Sequence, residues 1–329
     1  MVSKMKFIVV GCGNIAQRCA IPAILNSGVT ELVCIVDTDP SKEDIVREKF
    51  GVPFETNLQY VLNNYEFESV YISTPNAIHV SIIEQVAEYH KNILCEKPLA
   101  SSYDDAVRIA NIGKKYNVPI FEGYMYQFHK QHKVKNELIE KGEIGTPQLF
   151  QGWFGFPPLD DKDFRYNKKL GGGCVLDACA YLVHSARHFY KCEPQNVYAV
   201  LSAEEGREVE THATILLDFG EGRVANLVTG FNNKYKSQQV IWGSKGVLTL
   251  ERAYALPPDF SSILTIETQS DKTEYKMPLC NHFEEEMRYF VENYKIKTEE
   301  WREEFLSQSK VLSQIKFNKI HREKKKICY

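Results

Sequence analysis

Five short apolar runs, Phe7–Val10, Leu32–Val36, Val70–Ser73, Ile93–Cys95 and Pro119–Phe121, punctuate the chain between Lys6 and Gly123, and segments with helical spacing fill the gaps. Each run is continuous in apolar and mostly β-branched residues, as in strands buried on both faces. Such strands alternating with helices build a parallel sheet covered by helices. After Gly123 the pattern changes. One helical stretch, Gln131–Lys141, and a strand candidate, Gln148–Phe156, precede a glycine cluster that opens another helix. Six strand-like runs follow, Val197–Leu201, Ala213–Phe219, Val224–Val228, Gln238–Trp242, Val247–Leu250 and Ile263–Glu267, with turns such as Gly220–Gly222 and Gly243–Gly246 between them. This predicts an antiparallel sheet, closed by helices over Phe283–Tyr294 and Glu299–Phe317. The fold class is α/β, with a domain over 1–123 and a second over 124–329.

At 329 residues the chain is long enough for two hydrophobic cores. Forty Lys plus Arg against 43 Asp plus Glu leave a net charge of −3. No global positive field exists to hold nucleic acid or an anionic membrane, so neither is expected as a partner. Nine cysteines with no CxxC spacing read as reduced, buried thiols, and no metal site is expected. Glycines and Asn14 interrupt the N-terminal apolar run before an export signal forms, and no stretch reaches the roughly 20 residues of a membrane span. The expected location is the cytoplasm. The basic run His321–Lys326 reads as a solvated end.

Gly11-Cys12-Gly13-Asn14-Ile15-Ala16 follows the first strand and leads into a helix, the context required of a dinucleotide fingerprint. Gly11 permits the tight turn, Gly13 lets backbone N–H groups approach a pyrophosphate, and Ala16 keeps helix and strand close. Asp37, at the end of the second strand, is placed to accept hydrogen bonds from ribose hydroxyls and to repel a 2′-phosphate. This favours NAD(H) over NADP(H), with Lys42 the nearest cation. Thr74-Pro75-Asn76 follows the third strand at the edge where ligands of open α/β sheets bind, and His79 is placed to reach the same crevice. Glu96-Lys97-Pro98 puts a lysine at the end of the fourth strand, where it can hydrogen-bond a reacting oxygen. Downstream, Gly171-Gly172-Gly173 opens a helix on which Asp177, Tyr181, His184 and His188 share one face. A tyrosine near a lysine is a candidate proton donor and acceptor, because an ammonium lowers the phenol pKa from about 10. Asp177 would orient Lys97 or the substrate.

Together, Gly11-x-Gly13-x-x-Ala16, Glu96-Lys97-Pro98 and Gly171-Gly172-Gly173-x-x-x-Asp177-x-x-x-Tyr181 resemble the glucose-fructose oxidoreductase, inositol dehydrogenase and MocA family over nearly the whole chain. The resemblance implies an N-terminal Rossmann domain and a C-terminal α+β domain with a large, mainly antiparallel open sheet that forms a homodimer or homotetramer. It also implies hydride transfer between a nicotinamide dinucleotide and a sugar or polyol. Many inositol-dehydrogenase-like members carry His where this chain has Tyr181. The Tyr form is similar to the branch with dihydrodiol and xylose dehydrogenases and nucleotide-linked hexose 3-ketoreductases. In that branch Lys97 and Tyr181 would be the catalytic pair, with Glu96 at the cofactor. Segments like Glu122–His129 and Phe164–Tyr166 line its substrate cleft, which makes Tyr126, His129 and Arg165 candidate substrate contacts. Arg165 could also pair with a carboxylate or a phosphate. The leading expectation is a sugar oxidoreductase, acting on a nucleotide-linked hexose. Free-sugar or polyol oxidation is the alternative within the class, and a non-catalytic dinucleotide sensor the alternative outside it.

Overall fold

The computed structural model describes residues 3–318 and 320–322. The chain forms two compact units, one of residues to Met125 with Asn281–Ser309, the other of Tyr126–Cys280 with the residues from Lys310 on. The sequence reading assigned everything after 123 to the second domain. The return of Asn281–Ser309 to the first unit has a packing cause: Phe290 lies edge-on to Phe7 at 5.8 Å, and Trp301 lies 4.7 Å from Phe121. These aromatic residues cover one face of the first sheet.

That sheet holds β1 (Met5–Val10), β2 (Thr30–Val36), β3 (Phe54–Glu55), β4 (Ser69–Ile72), β5 (Asn92–Glu96) and β6 (Ile120–Gly123), all parallel, in the order β3-β2-β1-β4-β5-β6. This is the doubly wound order, and its strand sequence reverses between β1 and β4. The helices α1 (Ile21–Asn26), α2 (Glu43–Phe50), α3 (Leu58–Asn64), α4 (His79–Ala87) and α5 (Tyr103–Tyr116) connect the strands. Helix starts are marked by side chains: Asn57 caps α3 through the Tyr60 N–H, and Ser102 caps α5 through the Asp105 N–H. β3, two residues long, has no apolar run of its own and left no sequence signal.

In the second unit, α6 (Lys130–Glu140), β7 (Pro147–Phe156) and α7 (Ala178–Tyr190) precede β8 (Asn196–Ala203), β9 (His212–Asp218), β10 (Val224–Phe231), β11 (Lys236–Gly243), β12 (Gly246–Leu250), β13 (Ile263–Thr268) and β14 (Lys272–Lys276). With β15 (Ile320–Arg322) they form a nine-stranded sheet in the order β14-β13-β12-β11-β7-β10-β9-β8-β15. It is antiparallel except where β7 meets β10 and β8 meets β15. The rest of the basic run beyond Arg322 lies outside the described residues. One face carries Phe150, Ile215, Leu227, Ile241 and Leu248, all fully buried. α7 packs on this face, with Gly152 giving room to Leu182. The other face shows Tyr198, Val200, Leu216, Trp242 and Ile263 to solvent, and the strand pairings place them on the same side. Two further helices follow β14, α8 (His282–Asn293) and α9 (Thr298–Lys316).

Candidate active site

At the carboxyl end of β1 the chain turns at Gly11, whose φ of +96° only glycine adopts without strain. A Cβ there would also lie 2.6 Å from the Ser73 carbonyl oxygen. Gly13, by contrast, faces open space, with nothing within 4 Å of where its Cβ would stand. The helical run begins at Asn14, so the first N–H groups, at Asn14 and Ile15, lack intrahelical partners. An open backbone surface below orphan N–H groups fits a pyrophosphate. Asp37 is fixed by the turn itself. Its Oδ2 accepts from the Cys12 N–H at 2.7 Å, and its Oδ1 accepts from the Asp39 N–H at 3.0 Å. Lys42 Nζ lies 2.7 Å from the same Oδ2, so the carboxylate already carries a cation. The Cys12 thiol is buried beside it, and burial pushes its pKa up.

The loops after β4 and β5 are tied together by His79. This ring is fully buried, with Nε2 3.0 Å from the Thr74 carbonyl and Nδ1 3.2 Å and 3.3 Å from the Pro98 and Leu99 carbonyls. It differs from the expected cofactor contact, because burial takes the ring out of a ligand's reach and leaves it holding loops. Burial also pushes its pKa down, although the three carbonyls oppose that. Thr74 Oγ1 is buried without a hydrogen-bond partner among the described residues, and Asn76 is buried nearby in sequence. Glu96, ending β5, accepts from the Tyr71 hydroxyl at 2.5 Å. Lys97 follows, half-buried, and its peptide bond to Pro98 is cis. The Leu99 N–H donates to Glu122 at 2.8 Å, which pins the far side of this loop to the end of β6. The fully buried Glu286 was missed by sequence reasoning. Burial, then the nearby Glu96 charge, pushes Glu286 well above the usual carboxylate range. A glutamate in an amphipathic helix pattern gives no sign that the fold will bury it.

In the second unit Tyr181 sits on α7, 7% exposed, in a nest of rings: Phe154 at 5.5 Å, Tyr126 at 5.9 Å and Tyr254 at 6.1 Å. Tyr126 is buried, and its hydroxyl lies 2.7 Å from His184 Nδ1, while His184 stacks on His188 at 4.0 Å. Asp177 stands just before α7 rather than on its face, and Arg165 Nε donates to its Oδ2 at 2.9 Å. Arg165 also pairs with Asp163 at 3.3 Å. These two carboxylates, Asp177 foremost, hold the guanidinium firmly charged. The arginine expected to take an anion is therefore already neutralised from within. His129 caps α6, accepting the Gln131 N–H at 3.2 Å, and burial together with Lys130 pushes its pKa down to about 4. The glycine cluster wraps Glu210: a Cβ on Gly173 would collide with its carboxylate, and its Oε1 accepts the Val175 N–H at 3.2 Å. Nothing in the charged stretch around Glu210 marks it as the residue that shapes this turn. Tyr254, also missed, stacks on Phe154 at 5.5 Å and 19°.

Residues 5–124 match the oxidoreductase family with an NAD-binding Rossmann fold, GFO/IDH/MocA, and residues 133–249 match the GFO/IDH/MocA C-terminal domain. The chain belongs to the GFO/IDH/MocA oxidoreductase family. It is thus an NAD(P)-binding oxidoreductase, as its glycine turn implied. Among its relatives, a dTDP-3,4-didehydro-2,6-dideoxy-alpha-D-glucose 3-reductase of Saccharopolyspora spinosa is 31% identical over 292 residues, 88% of this chain and 87% of the relative. A D-xylose 1-dehydrogenase (NADP(+)) of Haloferax volcanii is 27% identical over 266 residues, 80% of this chain and 81% of that one. The crystal structure of a 3-ketoreductase from Actinomadura kijaniata, in complex with NADP and TDP-benzene, superposes with a TM-score of 0.91 at 26% identity. That match covers 97% of this chain and 99% of the other. Among the described residues no helix is long and apolar enough to cross a membrane.

Proposed function

We propose that this GFO/IDH/MocA protein interconverts a keto group and an alcohol on a ring carbon of a nucleotide-linked hexose, with reduction as the characteristic direction. The observation that carries this reading is the match, along 88% of the chain, to an enzyme that reduces the 3-keto group of a dTDP-linked sugar. The residues needed for the chemistry support it. Lys97 directly follows a buried parallel strand of the dinucleotide unit, and Tyr181 stands in an aromatic nest of the second unit. Bound reduced nicotinamide supplies the hydride to the carbonyl carbon. Tyr181 gives its phenolic proton to the keto oxygen as negative charge develops there, and takes another from solvent. Lys97 donates a hydrogen bond to the same oxygen and lowers the cost of that charge. Asp177, held by Arg165, orients the start of α7.

Gly11, Cys12, Gly13, Asn14 and Ile15 form the cradle for the pyrophosphate, with Thr74, Pro75, Asn76 and Glu96 at the nicotinamide side. Asp37 supports NAD(H), since its carboxylate is built into the turn. The NADP held by the solved relative counts against a strict preference, and Lys42 is the cation that would meet a 2′-phosphate. The exposed sheet face of Tyr198, Val200 and Trp242 supports a homodimer or homotetramer. The eight described cysteines form no disulfide with one another, which suits the reducing cytoplasm.

The test is oxidation of NADH and NADPH in the presence of dTDP-linked 3-keto sugars, set beside reduction of NAD+ and NADP+ in the presence of free D-xylose. Turnover on the nucleotide-linked sugars is expected. Turnover on free xylose alone would make the protein a free-sugar dehydrogenase, and cofactor binding with no turnover on either class would favour the sensor.

A further inference from the structure

In the second unit, Arg165, Arg187, Arg207 and Arg223 are each ion-paired with a carboxylate. Arg252 is different: among the described residues it makes no ion pair, and the neighbouring Glu251 accepts instead from Gln238 at 2.8 Å. Its backbone is fixed, because Gln131 Nε2 donates to its carbonyl at 2.9 Å. The guanidinium lies over two partly exposed rings, 4.6 Å from the centroid of Tyr235 and 5.0 Å from that of Phe260. Its Nε is buried with no hydrogen-bond partner among the described residues. A planar cation held by rings, rather than by an anion, keeps its donors for an incoming acceptor.

Tyr235 contacts Phe154 at 6.5 Å, and Phe154 contacts Tyr181 at 5.5 Å, so Arg252 stands three contacts from Tyr181 within one unit. We propose that Arg252, clamped by Tyr235 and Phe260, binds the diphosphate of a nucleoside diphosphate-linked substrate, the role that Arg165 is too fully paired to fill. A guanidinium gives phosphate oxygens parallel N–H bonds, and the flanking rings offer faces to a base or sugar. The assignment rests on the nucleotide-linked reading of the function, and its test separates the two.

Thymidine diphosphate and inorganic pyrophosphate are titrated calorimetrically into the full-length protein and its Arg252→Gln variant, with NADPH and NADH binding as the control. The wild type should bind thymidine diphosphate, the variant should bind it at least about tenfold more weakly, and dinucleotide binding should not change. Equal affinity in both proteins overturns the Arg252 assignment and leaves the nucleotide-linked reading standing. A wild type that binds dinucleotide but no nucleoside diphosphate overturns that reading itself. If the variant does not fold, phenylglyoxal labelling of the wild type decides. Protection of Arg252 by thymidine diphosphate supports the site, and labelling at an unchanged rate overturns it.

Discussion

Asp37 holds three donors at once, the Cys12 and Asp39 N–H groups and the Lys42 ammonium, so changing it alters the glycine turn as well as the proposed ribose site. Asp37→Ala should lower the ratio of NADH to NADPH affinity by about tenfold, or 1.4 kcal/mol, because it removes an acceptor for the 2′-hydroxyl and frees Lys42 for a 2′-phosphate. Fluorescence titration with both cofactors reads this, and an unchanged ratio removes Asp37 from the ribose site. Lys42→Ala should act in the opposite sense, weakening NADPH more than NADH. At the chemical step, Lys97→Met and Tyr181→Phe should each reduce kcat by about 10²- to 10⁴-fold with dinucleotide affinity nearly unchanged. Loss of NADH binding in either variant would assign that residue a structural role instead. Neither test depends on which sugar the enzyme prefers.

Most of the strands and helices were legible from apolar run length and helical spacing, and the observed ends fall within a few residues of those expected. The runs at Phe7–Val10 and Ile93–Cys95 were plain because both sheet faces bury them, which forbids polar interruptions. β3 and β14 were not, since one has two residues and the other, Lys272–Lys276, is largely exposed and charged. The glycine turn was equally legible, because only glycine tolerates the φ of Gly11. Gly11→Ala should destabilise the protein by about 1 to 3 kcal/mol from backbone strain alone and abolish dinucleotide binding, read by thermal unfolding and titration. What stayed hidden were side-chain partnerships between distant segments: Arg165 with Asp177, His79 across two loops, Glu210 under the glycine cluster. Their residues are ordinary in local pattern, and only the fold brings them together. Lys135 of α6 belongs with these. It is buried, donates to Gln239 at 3.1 Å, and burial pushes its pKa from 10.5 down to about 8. Between those two values the unfolded chain keeps a proton that the folded chain has released, so this group's penalty shrinks as pH rises through the window and is largest below it. Lys135→Met should therefore raise stability at pH 7 by about 1 to 2 kcal/mol, the lost bond to Gln239 offsetting part of the gain. Urea unfolding should show the difference narrowing toward pH 10, and a difference independent of pH would refute the assigned cause.

Taken whole, the protein is built from two sheets with different solvents. The parallel sheet is covered on both faces, while the nine-stranded one keeps a face with Tyr198, Val200 and Trp242 each more than half exposed. Apolar side chains of that size on one continuous face favour association with a second copy. The wild type is expected to sediment as a dimer or tetramer and a Val200→Lys and Trp242→Lys double variant as a monomer, and a monomeric wild type would contradict this expectation. Open α/β sheets of this order take ligands at the carboxyl ends of their strands, and Gly11, Thr74 and Lys97 stand just beyond those of β1, β4 and β5. Fold and family agree on the dinucleotide, and the substrate rests on Lys97, Tyr181 and the relatives the chain matches. The most direct test of the central claim is isotope transfer. Reduced nicotinamide dinucleotide deuterated at the hydride position is incubated with the protein and a dTDP-linked 3-keto hexose, and the product is read by mass spectrometry and NMR. The account predicts one deuterium on the new carbinol carbon of the ring, lost with Tyr181→Phe. No deuterium in any nucleotide-linked sugar, with the cofactor bound, would contradict it.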